Sequence, residues 1–305
     1  MSRLTVQAST PLCLLQDAGR FGVRHLGVTQ GGALDWVAMA WANWLLGNAP
    51  GAAVVEVALG GLTLLAEEDC QLALAGADLD ARIDGEPLQP WRNFMLRRGQ
   101  ALQLHLRLSG ARAYLAAPGG FDAPTVLGSC STVVREALGG LDGQGRALQV
   151  GATLGYRGPL GQTRGMPRGV TPVYSDMPRL DLIMGAQLGE FAGQSLFDAF
   201  NLPWTLDSRG DRMGIRLSGP ALQYQGKALI SEGIPLGGVQ VPPDGQPIVL
   251  LNDRQTIGGY PRLGALTPLA LARLAQCLPG DEVRLKVVVQ EGAVVEHQRF
   301  MTQFA

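Results

Sequence analysis

The spacing of apolar residues divides the chain into segments with different predicted structures. Between residues 33 and 46 the apolar side chains recur at helical spacing, and Gly47 follows at the position of a helix C-cap. This pattern predicts an amphipathic helix. From residue 53 to residue 118 the period becomes two, and short alternating runs are separated by glycine or charged residues. Short strands at this spacing are typical of a β-sandwich or a β-barrel.

The second half of the chain again combines short strands with few helices. Strands are predicted at 180–185, 228–231, 238–241, 247–252 and 282–290, and helices near 190–200 and at 267–278. Thr267 can cap the last of these helices, and Pro268 suits its first position. For the residues from about 291 onward we predict a tail. The whole pattern indicates a mainly β fold with a few short helices.

The two halves share a short motif built on arginine. Residues 19–24, GRFGVR, match residues 211–216, DRMGIR, and three later pairs of segments match in the same order. Turn-forming DG and GG pairs recur wherever strands turn, and they explain the later matches but not the arginine motif. We therefore infer that the chain contains an internal repeat.

The repeat predicts two homologous β-rich domains. We place them at 1–165 and 175–305, with a linker at about 166–174, and we allow for strands exchanged between them. Equivalent loops of a duplicated unit tend to lie near its pseudo-twofold axis. The hypothesis follows that Arg20 and Arg212 face a common cleft.

Composition and charge exclude several classes of protein. Hydrophobic residues make up 46% of the chain and charged residues 17%, which is typical of a globular protein. A net charge of -1 leaves no basic footprint for a nucleic acid. The four cysteines are far apart, so we expect no zinc site or other metal. Without a leader-like start or an apolar run of about 18 residues, we expect a cytoplasmic protein that does not enter a membrane.

The sequence lacks the common catalytic motifs. It contains no GxSxG, no GxxxxGK[ST] and no HExxH, which argues against a hydrolase nucleophile elbow, a P-loop and a zincin site. The run from Gly128 to Thr132, GSCST, could bind an anion, but a turn held by hydroxyl–backbone bonds is the favoured interpretation. Glu56 and Glu232 occupy equivalent places in the repeat. A buried Glu56 would need a partner, for which Arg20 or Arg212 is suitable.

Several motifs together resemble one protein family. They are QDAGRFG, GGALD, ANWLLGN, ALAGADL, AYLAAPGGFDAP, LGSCST, DRMGIRLSG, VQVPPDGQPIVLLND and QTIGGYP, and they extend over about residues 3–290. The chain is identified as a member of the KipA family, also called allophanate hydrolase subunit 2 or the biotin-dependent carboxyltransferase-like family. Its bacterial members include PxpC, a component of ATP-dependent 5-oxoprolinase, to which these motifs are most similar. The resemblance implies two cyclophilin-like β-barrels.

The resemblance also implies a multi-subunit enzyme. The three components of 5-oxoprolinase together open 5-oxoproline to L-glutamate with ATP hydrolysis, so a KipI/PxpB-like subunit and a LamB/YcsF-type PxpA subunit are the expected partners. ATP is expected at a subunit interface or on another subunit, the chain alone is expected to be inactive, and biotin is not expected in this chain. The alternatives are the carboxyltransferase component of a biotin-dependent, urea/allophanate-type system and a non-enzymatic regulator that binds a KipI-like partner.

Within this framework we assign candidate residues by motif. Carboxylates in or beside the motifs are candidates for a general base or a water-positioning group; they are Asp35, Glu56 and Asp253. Arginines and uncharged polar side chains are candidates for holding phosphate or the substrate carboxylate; they are Arg20, Arg24, Arg212, Arg216, Asn43, Gln255 and Tyr260.

Overall fold

The computed structural model describes residues 2–159, 164–174 and 177–304 and is mainly β, which confirms the predicted fold class. The chain forms two compact units. The first comprises Met1–Gly22 and Gly31–Tyr174, and the second comprises Val23–Gln30 and Ser175–Ala305. The short segment Val23–Gln30 thus belongs to the second unit, although the sequence pattern continued the first domain through it.

The first unit is built from two antiparallel sheets. Its strands are β1 Ser2–Ala8, β2 Cys13–Gln16, β3 Val54–Ala58, β4 Leu62–Ala66, β5 Cys70–Asp78, β6 Ala81–Ile83, β7 Glu86–Pro87, β8 Arg92–Leu96, β9 Ala101–Leu104, β10 Ser109–Ala116 and β11 Thr153–Tyr156. One sheet has the order β11-β1-β4-β9-β6-β7, and the other has the order β2-β3-β10-β5-β8. Leucine and valine side chains from both sheets share one buried core, which explains the period of two along these strands.

The helix of the first unit, α1 Trp36–Trp44, is more deeply buried than an amphipathic helix. Every residue from Val37 to Asn43 is buried, because the helix packs on β10 and β5 and is apolar on nearly all sides. It is also shorter than the predicted 33–46. Asp35, expected in the first turn, is the N-cap, and its carboxylate accepts a hydrogen bond from the amide of Ala38.

The second unit contains a closed barrel and a separate ribbon. Its strands are β12 Arg179–Met184, β13 Trp204–Leu206, β14 Gly214–Ser218, β15 Glu232–Gly233, β16 Gly238–Gln240, β17 Ile248–Leu250, β18 Ile257–Gly258, β19 Arg262–Leu266 and β20 Glu282–Val288. The barrel has the order β12-β19-β16-β17-β14-β13-β20 and closes through the parallel pair β12–β20. Strands β15 and β18 pair only with each other.

Three helices accompany the barrel: α2 Gly193–Asn201, α3 Pro268–Leu274 and α4 Gln290–Met301. The cap predicted for α3 is present, since the hydroxyl of Thr267 accepts from the amide of Ala270 at 3.3 Å. The predicted tail is wrong. Helix α4 occupies that segment, but none of its residues is buried, so the apolar periodicity that reveals a packed helix is missing. In the part of the chain that the structure describes, no helix is long and apolar enough to cross a membrane.

Candidate functional site

Two of the three candidate acids lie in one buried cluster of the first unit. Strands β3 and β10 pair with Glu56 directly opposite Tyr114, so both side chains emerge on the same face of the sheet. Asp35 lies beside them at the N-terminus of α1. All three residues are at most 2% exposed. The site therefore depends on strand register and on the position of one helix end.

The hydroxyl of Tyr114 links the two acidic residues. It accepts a hydrogen bond from the amide of Asp35 at 2.8 Å and donates one to Oε2 of Glu56 at 2.8 Å. The same Oε2 accepts from the amide of Leu34 at 2.9 Å, and the hydroxyl of Tyr174 donates to Oδ2 of Asp35 at 3.5 Å. Glu56 is thus held by a backbone amide and a tyrosine, whereas the sequence suggested arginine as its partner.

Both tyrosines of this cluster are neutral hydrogen-bond donors. Burial, followed by the charges of Glu56 and Asp35, raises the pKa of Tyr114 well above its ordinary value. Burial, followed by the charge of Asp35, does the same to the pKa of Tyr174. Hydroxyls that keep their protons can orient the carboxylates. The cluster can therefore present an acceptor oxygen to a proton, provided that substrate or water reaches it.

The Gly-Arg motif of the first unit organises a loop. Arg20 is 1% exposed, and its guanidinium donates to the carbonyls of Val126 at 3.0 Å and Ser131 at 2.7 Å. Gly139 lies against it with φ +66°, and a Cβ there would come within 2.5 Å of Arg20 Nη2. The glycine is required both for its conformation and for the close approach. These donors of Arg20 are directed at backbone carbonyls.

Asp17, which the motif analysis did not single out, is the centre of the GSCST run. Its carboxylate accepts from the hydroxyls of Ser129 and Ser131 at 2.6 Å each, and from the amides of Gly19 and Cys130 at 2.8 Å. Burial would raise the pKa of Asp17, but these hydrogen bonds outweigh it and the pKa is lowered. A run whose hydroxyls already bind a carboxylate is a poor anion site. The turn interpretation is the one that the geometry supports.

Asn43 has a local role at the end of α1. It is fully buried, and its amide donates to the carbonyls of Pro50 at 3.2 Å and Ala52 at 2.9 Å. Its Oδ1 accepts from the side chain of Asn48 at 2.9 Å. These bonds hold the chain that leaves the helix, so the geometry around Asn43 is that of a helix terminus.

The third candidate acid, Asp253, lies in the second unit and is paired with Arg212. Nε and Nη2 of Arg212 donate to the two carboxylate oxygens at 3.0 and 3.3 Å, and both side chains are mostly buried. This two-point pairing fixes both groups and makes the carboxylate a weaker base. Arg20 and Arg212 match in sequence, but the former binds carbonyls and the latter a carboxylate.

The remaining candidates of the second unit lie at its surface or contribute backbone atoms. Arg216 pairs with Asp244, and Tyr260 is 47% exposed. The carbonyl of Gln255 accepts from Arg24 Nη2 at 3.2 Å. Glu232 is about half exposed and pairs with Arg262, so it does not share the buried environment of Glu56 that the repeat predicted. No group of three potential metal ligands occurs among the residues that the structure describes.

Sequence reasoning missed Tyr114, Tyr174 and Arg254. The signal for Tyr114 was available, since a glutamate inside an apolar strand needs a donor and ARAYLAA is an adjacent strand with a tyrosine at its centre. The strand register needed to pair them was not available. Arg254 lies inside the polar cluster at 252–261, and only its burial distinguishes it from a solvated arginine.

Comparison with known proteins assigns the chain to a family. A family model described as "Carboxyltransferase domain, subdomain A and B" matches residues 26–287. Two curated proteins, each named as the C subunit of 5-oxoprolinase, are 37% identical to the chain. The one from Haemophilus influenzae aligns over 92% of this chain and 89% of its own length, and the one from Escherichia coli over 95% and 94%. Urea amidolyase from Saccharomyces cerevisiae is 26% identical over 88% of this chain but only 16% of its own.

Solved structures agree with this assignment. The crystal structure of TTHA0988 superposes with a TM-score of 0.83 at 36% identity and covers 94% of the chain, which spans 56% of the length of that protein. The urea amidolyase of K. lactis superposes with a TM-score of 0.93 over 99% of the chain, which spans 20% of that protein. At 23% identity, the second likeness supports the fold alone.

Proposed function

The chain belongs to the family of carboxyltransferase domains, subdomains A and B, and on that basis we propose that it is PxpC, the C subunit of an ATP-dependent 5-oxoprolinase. One observation carries the proposal: two proteins with that name match the chain at 37% identity over nearly their whole lengths. The urea amidolyase match, in contrast, corresponds to a small part of a much longer protein. The name of the relatives as a subunit implies that other subunits complete the enzyme.

The proposed reaction opens a stable lactam at the expense of ATP. Transfer of the γ-phosphoryl group to the amide oxygen would make the ring carbon a better electrophile and give ADP. Water then adds to that carbon, the ring C–N bond breaks, and phosphate leaves, so that 5-oxoproline, ATP and two waters give glutamate, ADP and phosphate. A carboxylate that takes the proton of the water would accelerate the second step. Asp35, Glu56 and Asp253 are the proposed sources of this carboxylate.

The proposed partners are a KipI/PxpB-like subunit and a LamB/YcsF-type PxpA subunit. Since the sequence has no P-loop, we place ATP at a subunit interface or on another subunit. The chain alone is then expected to be inactive. The direct test is to purify the chain, combine it with the two partners, and measure glutamate release from 5-oxoproline with and without ATP. Full activity of the isolated chain, or none in the reconstituted complex, would contradict the proposal.

Amide substitutions separate a catalytic carboxylate from a structural one. Asp35→Asn, Glu56→Gln and Asp253→Asn are each assayed in the complex for kcat and, as isolated chains, for melting temperature. The catalytic base should lose roughly 10²–10⁴-fold in kcat with a nearly unchanged melting temperature, whereas a structural carboxylate should lose stability first. Asp207→Asn is the matched control, because Asp207 is a surface carboxylate paired with Arg209. If all three variants keep wild-type kcat, none of these residues is the base.

A carboxyltransferase role is the second candidate, favoured by the name of the family model and by the urea amidolyase relatives. It requires a biotinylated carrier and an ATP-dependent carboxylase as separate proteins. The discriminating experiment supplies both, together with labelled bicarbonate and urea, and measures transfer of the label. We expect no transfer above that of the carrier and carboxylase alone. Transfer that depends on this chain would favour the carboxyltransferase over the oxoprolinase.

A further inference from the structure

Two arginines of the second unit lie side by side. Arg24 begins a short 3-10 helix, Arg24–Leu26, and Arg254 follows strand β17. Both guanidinium groups donate to the same acceptor, the carbonyl of Ile234, from Arg24 Nη2 at 2.9 Å and from Arg254 Nε at 3.3 Å. A shared acceptor requires the two cations to be close neighbours.

The other acceptors of these two arginines are neutral. Arg24 Nη2 also donates to the carbonyls of Gln255 and Thr256 at 3.2 and 3.0 Å. Arg254 donates to the carbonyl of Leu251 at 3.2 Å and to Oε1 of Gln30 at 3.4 Å. In residues 2–159, 164–174 and 177–304, no carboxylate forms an ion pair with either arginine. Their positive charge is therefore not compensated by an acidic side chain of the described residues.

This arrangement is costly without a counterion. Arg254 is 2% exposed, and burial followed by the charge of Arg24 lowers its pKa to about 9. Burial also lowers the pKa of Arg24. Arginine does not give up its proton in proteins at neutral pH, so both charges persist. Two adjacent buried cations are stabilised most directly by an anion.

Unused hydrogen-bond donors mark where that anion would bind. Arg24 Nη1 is buried and has no hydrogen-bond partner, and the same holds for Nε2 of Gln240, a residue only 2% exposed. A Cβ at Gly258 would lie 2.9 Å from that nitrogen and 2.7 Å from Ile234. The amide of Gln240 therefore borders the same short segment, 255–258, whose carbonyls bind Arg24. The absence of a side chain at Gly258 leaves room beside this amide for a small group only.

We propose that Arg24, Arg254 and Gln240 form a binding subsite for a small oxyanion, a carboxylate or a phosphate group. A guanidinium presents parallel N–H groups that match the oxygens of either group, and a neutral amide donor adds orientation without further charge. Under the proposed function, 5-oxoproline would supply the carboxylate and ATP hydrolysis the phosphate. Only this identification of the source rests on that function; the anion site itself rests on the geometry of the second unit.

The test measures the melting temperature of the whole purified chain at constant ionic strength. Chloride is replaced stepwise by inorganic phosphate or by 5-oxoproline, and 2-pyrrolidinone, the same ring without a carboxylate, is the ligand control. The proteins are wild type, Arg24→Gln, Gln240→Met and, as the matched control, Arg209→Gln, whose surface cation already pairs with Asp207. Gln240→Met removes an uncharged donor, so it tests the site even if Arg24→Gln does not fold.

We expect at least one oxyanion to raise the melting temperature of wild type and of Arg209→Gln by several degrees when it is well above its dissociation constant. Arg24→Gln should weaken the apparent affinity at least about tenfold, and Gln240→Met by a smaller factor. The ligand that produces the shift identifies the source. The proposal is overturned if neither oxyanion shifts wild type, if Arg24→Gln responds like Arg209→Gln, or if 2-pyrrolidinone is as effective as 5-oxoproline. Failure of the reconstituted complex to release glutamate would refute only the proposed function, because melting requires neither partners nor turnover.

Discussion

The hydroxyl of Tyr114 is the clearest single atom on which to test the buried cluster. Tyr114→Phe removes one oxygen and leaves the ring in place. The amide of Asp35 then loses an acceptor at 2.8 Å, and the carboxylate of Glu56 loses a donor at 2.8 Å, both in an interior where Tyr114 is 0% exposed. Because water does not reach these groups, their loss is not compensated.

The magnitude follows from the number and kind of bonds. An unsatisfied buried amide costs about 1–3 kcal/mol, and a bond to a charged group contributes about 1.5–3 kcal/mol. Glu56 keeps the amide of Leu34 as a donor, which reduces its share. We therefore expect a loss of roughly 3 kcal/mol in the free energy of unfolding. For a unit of this size, that loss corresponds to about 6–12 °C in melting temperature.

The assay combines urea unfolding with hydrogen exchange of the peptide around α1. Tyr114→Phe should lower the urea midpoint and accelerate exchange at Leu34 and Asp35. Tyr224→Phe is the matched control, since Tyr224 donates to the carboxylate of Glu190 near the surface, where water can replace it. A double-mutant cycle with Glu56→Gln should show a coupling of about 1 kcal/mol or more. Equal effects of the two tyrosine substitutions, or strictly additive changes in the cycle, would refute the reasoning.

Three further predictions concern single side chains. Because the folded pKa of Asp17 lies below 3.8, its contribution to stability is present above that pH and is lost as pH falls through the folded pKa; Asp17→Asn should flatten acid unfolding monitored by circular dichroism below about pH 4, and an unchanged profile would contradict this. Burial, followed by the charge of Asp17, raises the pKa of Cys130 to about 12, so iodoacetamide at about pH 8 should label the partly exposed Cys277 well before Cys130 in native protein, as mass spectrometry would show. Thr267→Ala should cost about 1 kcal/mol in urea unfolding through loss of the α3 cap; a cost near zero would show that the cap bond at 3.3 Å contributes little.

The fold was predictable wherever burial leaves a periodic trace. The strands of the first unit alternate because one face meets the core, and α3 is indicated by Thr267 and Pro268. Helix α4 leaves no such trace, because no residue of it is buried. The linker and domain boundaries proposed from the sequence remain predictions, and the structure adds that a short segment, Val23–Gln30, groups with the later unit.

The candidate site was predictable only as a set of residue types. Asp35 and Glu56 attract attention because a carboxylate in an apolar context needs a donor, but the donor Tyr114 follows only from strand register. The shared GR and DR motifs made Arg20 and Arg212 look equivalent, yet hydrogen-bond partners depend on the loops that surround each arginine. Arg24 and Arg254 are distant in sequence, and no local pattern brings two arginines to one carbonyl.

The assignment of Val23–Gln30 to the second unit has a consequence for folding during synthesis. The carbonyl of Ile234 that anchors Arg24 lies 210 residues further along the chain. At about 5–20 residues per second, the ribosome needs roughly 10–40 s to supply it. During that interval the residues on both sides of the segment can fold as part of the first unit, while the segment itself waits as a loop between them. A fragment that starts at Ser175 would lack this piece permanently, so it should fold less completely than its apparent domain boundary suggests.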